Sequence, residues 1–265
     1  MDDIREKRIF GGKDGRTRLF VGSEMGVVVA SISGSRVGEF GLEYRTTVRD
    51  IAGAPGRIAV ATDEDATLLG EEVAHLGFGP ATAVGFDGEG IVAGDSEGRI
   101  ARIDSAGREE VGTAGGAVTA SDGALVGTEV GLYRLGDRGL DAAGLDDVRD
   151  VDTNGTPLAA TGEGLYRLGN GWMELIDGDA TAVASDSGTR RHAVVDGQLY
   201  TASPDGDRWA PVELPVDETP VDVAYGERTY VVTASGTVLV EAADGWRHQR
   251  LGVRGVVGCA VATGQ

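Results

Sequence analysis

The strongest constraint on this chain is that it repeats itself about every 33 residues. The word Gly-Leu-Tyr-Arg-Leu at 131–135 recurs at 164–168. Val-Arg-Asp-Ile at 48–51 returns as Val-Arg-Asp-Val at 148–151, and Ala-Thr-Ala-Val at 81–84 returns at 180–183, separations of 100 and 99 residues, or about three repeats. Three unrelated words on one period mark an array of supersecondary units. Such a period dictates architecture without naming a reaction.

One unit, 148–179, can be parsed from its side chains. Residues 148–152 form a short strand-like run, and Asn154-Gly155 is a strong hairpin signal. Residues 157–161 lead back, Glu163-Gly164 turn again, 165–168 make a third strand, and Gly169-Asn170-Gly171 turn into 172–176. Four short strands with no helical period result. The 44 glycines fit this pattern, since tight hairpins need a positive φ that glycine supplies at little steric cost. A four-stranded unit of this size has two apolar faces and cannot bury both alone. Radial stacking around an axis buries both and leaves short edges. The expected fold is therefore all-β, a β-propeller.

The chain ends point to closure. Residues 255–262 read as a first strand that the chain never follows up, while 18–22, 27–32 and 37–42 read as three strands lacking their first. Joined, they make one composite blade. Counting first strands near Val48, Ala81, Ala117, Val148, Ala180, Val221 and Val256 gives seven blades in one domain spanning 1–265. Their expected limits are 18–43 plus 254–262, then 47–78, 80–114, 116–146, 147–178, 179–217 and 219–253.

Charge narrows the function classes. There are 43 Asp and Glu against 24 Lys and Arg, a net charge of −19, and Lys7 and Lys13 are the only lysines. The acidic residues are dispersed rather than blocked into a tail. In dilute buffer they would repel one another, but at about 1 M salt the Debye length falls to roughly 3 Å. This reads as a halophile's cytoplasmic protein, with the acidity serving solvation. No basic stripe exists to displace counterions from nucleic acid. No apolar run is long enough to span a membrane, and the first residues lack a secretory h-region. A single cysteine, Cys259, excludes an internal disulfide, and its apolar neighbours suggest a buried thiol.

In length and strand order the blades resemble the seven-bladed WD40, YVTN and Asp-box propellers. Ser203-Pro204-Asp205-Gly206-Asp207-Arg208-Trp209 resembles an Asp-box one residue short, and Asp244-Gly245-Trp246 and Asn170-Gly171-Trp172 are weaker relics. No unit has the Gly-His and Trp-Asp pair of a WD40 repeat. Over nearly its whole length, with the GLYRL and VRD words in these places, the chain is similar to an uncharacterised propeller family of halophilic archaea, which implies the fold but no activity.

Repetition also disposes of most candidate functional residues. Tyr133, Tyr166 and Tyr200 share a third-strand position, so packing explains them better than catalysis. Trp172, Trp209 and Trp246 follow Gly-rich turns and are expected to cover blade edges. His75, His192 and His248 lack zinc spacing, although His75 lies in the most irregular stretch, 71–78. The asparagines, Asn154 and Asn170, sit in turns, which disfavours a lactonase-type calcium site. Gly11-Gly12-Lys13 lacks the strand-to-helix context of a phosphate loop. The polar positions that stand out are Arg49, Asp50, Arg149, Asp150 and Asp222, all on innermost strands. They either ring the mouth of a central channel as a binding site or pair with one another between blades. The resulting expectation is a monomeric, non-enzymatic binding platform for a protein partner, with no metal and no cofactor. The alternative is a small-ligand or metal-dependent enzyme or receptor using the channel mouth.

Overall fold

The computed structural model of the chain describes residues 16–136 and 139–262. The turn glycines Gly11 and Gly12 and both lysines lie outside those residues. The described chain forms seven four-stranded antiparallel sheets arranged as the blades of a propeller. Blade 1 is composite: Val256–Val261 pairs with Arg16–Ser23, which is followed by Gly26–Ser33 and Arg36–Tyr44. Leu19 faces Val261 and Val21 faces Cys259 in that closing ladder. Blades 2 to 7 follow in chain order, each beginning at its innermost strand: Val48–Ala54, Ala83–Phe86, Val118–Asp122, Val148–Asp152, Ala180–Ser185 and Pro220–Tyr225. No helix among the described residues is long and apolar enough to cross a membrane.

The second strand of each blade is packed on both faces, so it reads as an unbroken apolar run rather than an alternation. Leu158, Ala159, Ala160 and Thr161 are each 1% exposed or less. Outermost strands carry the charge, as in Gly107–Thr113 with Arg108, Glu109 and Glu110 in solvent.

Neighbouring blades fit by paired sizes. A Cβ added at Gly94 would lie 2.5 Å from Val118 Cβ, and one at Gly127 would lie 2.6 Å from Val148 Cγ1. Where the next blade opens with alanine instead of valine, the second strand carries alanine: Ala61 packs with Ala81, and Ala160 with Ala180. A buried hydroxyl ends several of these strands and holds the following turn. Ser23, Thr62, Thr128 and Thr161 each donate from Oγ to a backbone carbonyl three residues on, at 2.8–3.0 Å.

The irregular stretch 71–78 is a clasp. The carboxylate of Asp65 accepts from Gly77 N at 2.8 Å and from Gly79 N at 2.9 Å. Phe78 is buried beneath the Arg99 guanidinium, 4.1 Å from its ring centre. His75, by contrast, is exposed, 3.9 Å from Asp65. The three repeated tyrosines hold equivalent registers, Tyr133 opposite Val126, Tyr166 opposite Ala159 and Tyr200 opposite Ala193. Trp172 covers a blade edge, donating from Nε1 to Ala143 O at 2.8 Å.

Candidate functional site: the central channel

The innermost strands enclose a channel of about 740 Å³. Each has a hydrogen-bonded neighbour on one side only, so alternate amides on the other side need partners from elsewhere. Six of the seven strands carry a bulge near their start. Bulges re-aim side chains. Here Arg49, Arg149 and Val221 fall in the bulge, and Asp50, Asp150 and Asp222 come directly after it.

Each of these carboxylates bridges two blades. Asp50 Oδ1 accepts from Ile51 N at 2.7 Å, and Oδ2 from Val84 N of the next blade at 2.8 Å. Asp150 accepts from Val151 N and from Val183 N, both at 2.8 Å. Asp222 accepts from Val223 N at 2.6 Å and from Cys259 N at 2.7 Å, tying blade 7 to the composite blade. Six equivalent amides are thereby capped. The seventh belongs to Ser121 of blade 4, which pairs with Val126 as Ile51 pairs with Val60. No side-chain carboxylate reaches it among the described residues.

The three aspartates are half-buried in the channel wall, which disfavours their charged form. Burial pushes Asp50 up to about 6 and Asp222 up to about 7, against the pull of the amides they accept from. Asp150 is raised well above the ordinary range, first by burial and then by the negative charges of Asp222 and Asp50. The Cys259 thiol is likewise pushed well up by burial and by Asp222.

The arginines do not accompany them. Arg49 turns outward to Asp63, with Nε 2.5 Å from Oδ1. Arg149 spans Asp147 at 3.2 Å and Asp179 at 2.5 Å. The expected Arg–Asp pairing between blades is replaced by carboxylate–amide bonds within the wall and separate ion pairs at the rim.

A second tier lies two residues further along the strands, where alternation returns side chains to the same side. Asp122 Oδ2 accepts from Thr153 N and Oγ1, both at 2.7 Å. Asp152 accepts from Ser185 N at 2.9 Å and contacts Ser185 Oγ closely. That hydroxyl also lies 2.7 Å from Asn154 O. Burial raises Asp152 to about 6, against the pull of the hydrogen bonds it accepts from Ser185. His192, 6% exposed, has Nδ1 2.8 Å from the Tyr225 hydroxyl. Tyr225 donates to Ala184 O at 3.1 Å and so accepts from Nδ1–H. Burial lowers His192 to about 4, leaving it neutral at physiological pH.

Sequence reasoning singled out the first tier and missed the second. Asp152 was within reach of it, because Asp150 and Asp152 stand two apart on one strand. Ser121 and His192 give no comparable signal, since nothing local distinguishes them from other strand residues. The Asp-box-like turn is held as its residue types suggest: Ser203 Oγ donates to Asp205 Oδ1 at 2.5 Å and accepts from Arg208 N at 3.0 Å. Among the described residues no three His, Cys, Asp or Glu side chains stand close enough to hold one metal ion.

A family model described as HVO_0234-like beta propeller matches residues 3–262, and the chain belongs to that family. No curated protein sequence matches it. Solved structures share the fold at low identity. A chain of the nidogen/laminin complex superposes with a TM-score of 0.63 at 13% identity, covering 94% of this chain and 99% of that one. The WD40 propeller domain of Doa1 gives 0.67 at 12% identity, covering 80% and 85%. YCF48 bound to D1 peptide gives 0.59 at 14% identity, covering 77% and 82%.

Proposed function

We propose that this HVO_0234-like propeller is a non-catalytic platform that binds a protein partner in the cytoplasm of a halophile. The carrying observation is that the channel carboxylates are committed to the wall. Asp50, Asp150 and Asp222 each hold two backbone amides, so none is placed as a free base or nucleophile. These bonds favour the platform over the alternative of a channel-mouth enzyme or receptor. The ring's loop surface is the remaining place for recognition, which in folded domains concentrates on loops. Two propellers of like fold come from a nidogen/laminin complex and from YCF48 bound to D1 peptide; this favours a binding role as an analogy of fold.

The test is affinity purification of the tagged protein from its native cells in high salt, with the monomeric chain as the expected unit. A stoichiometric protein partner supports the reading, and its absence from repeated preparations overturns it. The salt component has its own test. Dialysis into dilute buffer should abolish cooperative melting, and full stability there would refute the halophilic account of the −19 charge.

A further inference from the structure

The protein-platform reading gives no role to the chain's asparagines. There are only two, Asn154 and Asn170, and glycine follows each. Asparagine is among the chemically labile residues. The backbone nitrogen of the following residue can attack its side-chain amide, and glycine at that position brings no side chain to obstruct the attack. Both Asn-Gly pairs sit in exposed turns of blade 5, so sequence alone does not rank them. Their surroundings do.

Asn154 lies at the channel mouth beside Asp152 and Ser185. Ser185 Oγ, on the innermost strand of blade 6, donates to the Asn154 carbonyl oxygen at 2.7 Å. That oxygen belongs to the peptide bond whose nitrogen is Gly155 N. Deprotonating this amide places negative charge on the oxygen, so a donor held there stabilises the amidate. Gly155 N makes no hydrogen bond among the described residues, so none has to break for it to react. A Cβ added at Gly155 would meet nothing within 4 Å, which leaves room for a ring to close. Asn154 Nδ2 is 3.5 Å from Asp152 Oδ2, and Asn154 N donates to Asp152 Oδ1 at 3.0 Å. Asp152 therefore stands beside the atom that would leave, and its rise to about 6 by burial lets a fraction of it carry a proton near neutrality. Asn170, by contrast, has no side-chain hydrogen bond among the described residues.

We propose that Asn154 is a self-modification site, at which the chain converts this asparagine to aspartate and isoaspartate with Ser185 and Asp152 as the assisting groups. Gly155 N loses its proton to solvent and attacks Asn154 Cγ, forming an N–Cγ bond. The Cγ–Nδ2 bond then breaks, and Nδ2 takes a proton from Asp152 and leaves as ammonia; solvent reprotonates Asp152. The product is a cyclic succinimide. Water opens it at Cγ to give aspartate, or at the main-chain carbonyl to give isoaspartate. In sum one water is consumed and one ammonia released, with no oxidation or reduction.

Either product changes the channel wall. Aspartate adds a carboxylate beside Asp152. Isoaspartate routes the main chain through Cγ and turns the carbonyl that ties blade 5 to Ser185 of blade 6 into a free carboxylate.

The experiment is incubation of the full chain at pH 8 in about 1 M NaCl, which screens the surface charge. Peptide mass spectrometry then separates the Asn, Asp and isoAsp forms at both sites. In the folded chain Asn154 should convert faster than Asn170. In urea the preference should disappear, because glycine follows both. Ser185→Ala should slow conversion of Asn154 about tenfold, the worth of a hydrogen bond to a developing charge, and leave Asn170 unchanged. Conversion of Asn170 as fast as that of Asn154 in the folded chain overturns the proposal. A preference that persists in urea also overturns it, since it then belongs to local sequence, as does a folded Ser185→Ala chain in which Asn154 keeps its wild-type rate. If Ser185→Ala fails to fold, the wild-type comparison of the two sites, native against urea, still decides.

Discussion

Stability should fall as pH rises through neutrality, and the inner aspartates set the size of the effect. Take Asp222, with an ordinary value of 3.8 that rises to about 7 in the folded chain. Below the unfolded value both states hold the proton, and the group contributes nothing to the pH dependence. Between the two values the folded chain binds more protons than the unfolded one, so stability falls with rising pH. Above the folded value both states are ionised and the loss is complete. Each tenfold change in proton affinity corresponds to about 1.4 kcal/mol, so the shift of about three powers of ten costs roughly 4 kcal/mol by pH 8. For a chain of this size that is on the order of 10 °C in Tm. The assay is differential scanning calorimetry of the wild type and Asp222→Asn at pH 5 and pH 8, in high salt to screen the surface acids. Asn keeps one acceptor for the two amides and holds no charge, so it should be less stable than the wild type at pH 5. Its loss between pH 5 and pH 8 should be markedly smaller, the more so because Asp150 is relieved of the charge that raises it. A wild type that gains stability between pH 5 and pH 8, or a variant with an undiminished loss, would refute the assignment.

Two further substitutions test the packing. Tyr230 is 0% exposed and its hydroxyl has no partner among the described residues, so Tyr230→Phe should stabilise by about 1–3 kcal/mol; a lower Tm in thermal melts would show that the hydroxyl is satisfied. Gly94→Ala puts a Cβ 2.5 Å from Val118 Cβ and should cost about 1–3 kcal/mol, while Gly94→Ala with Val118→Ala recreates the Ala61–Ala81 seam and should recover part of it; additive costs in a double-mutant cycle would sink the size-pairing rule.

Much of the fold was legible because the repeat period, turn residues and apolar runs all describe local geometry. Closure was legible as well, since 255–262 lacks its successors and 18–42 lacks its predecessor, and the ladder from Leu19–Val261 to Val21–Cys259 joins them. The seams were written in the sequence more finely than they were read. Gly94 before Val118 and Ala61 before Ala81 are complementary pairs, but recognising them requires knowing which residues meet. The site was half legible. Asp50, Asp150 and Asp222 stood out as charges on inner strands, yet their partners are backbone amides, which no side-chain pattern reveals. Ser121 was invisible for a related reason: it matters through what its neighbours fail to cap.

The spacing of those aspartates follows from counting amides rather than from the period. They stand on blades 2, 5 and 7, and each caps its own strand and the next, covering 2 and 3, 5 and 6, then 7 and 1. Bridging pairs cannot tile an odd ring, so one blade must be left over, and here it is blade 4. Ala120 holds the position equivalent to the aspartates, opposite Gly127 as Asp150 is opposite Ala160. Ala120→Asp would give the Ser121 amide an acceptor, but its second oxygen would point to Val151 N, already held by Asp150 at 2.8 Å. The variant thus gains one hydrogen bond and buries a fourth carboxylate against three others. At pH 5, where the ring is largely protonated, the charge cost is small; at pH 8 it is fully expressed. The variant should therefore lose clearly more stability relative to wild type at pH 8 than at pH 5, read as the difference in Tm. An equal loss at both pH values would mean that steric crowding, and not charge in a filled ring, governs this position.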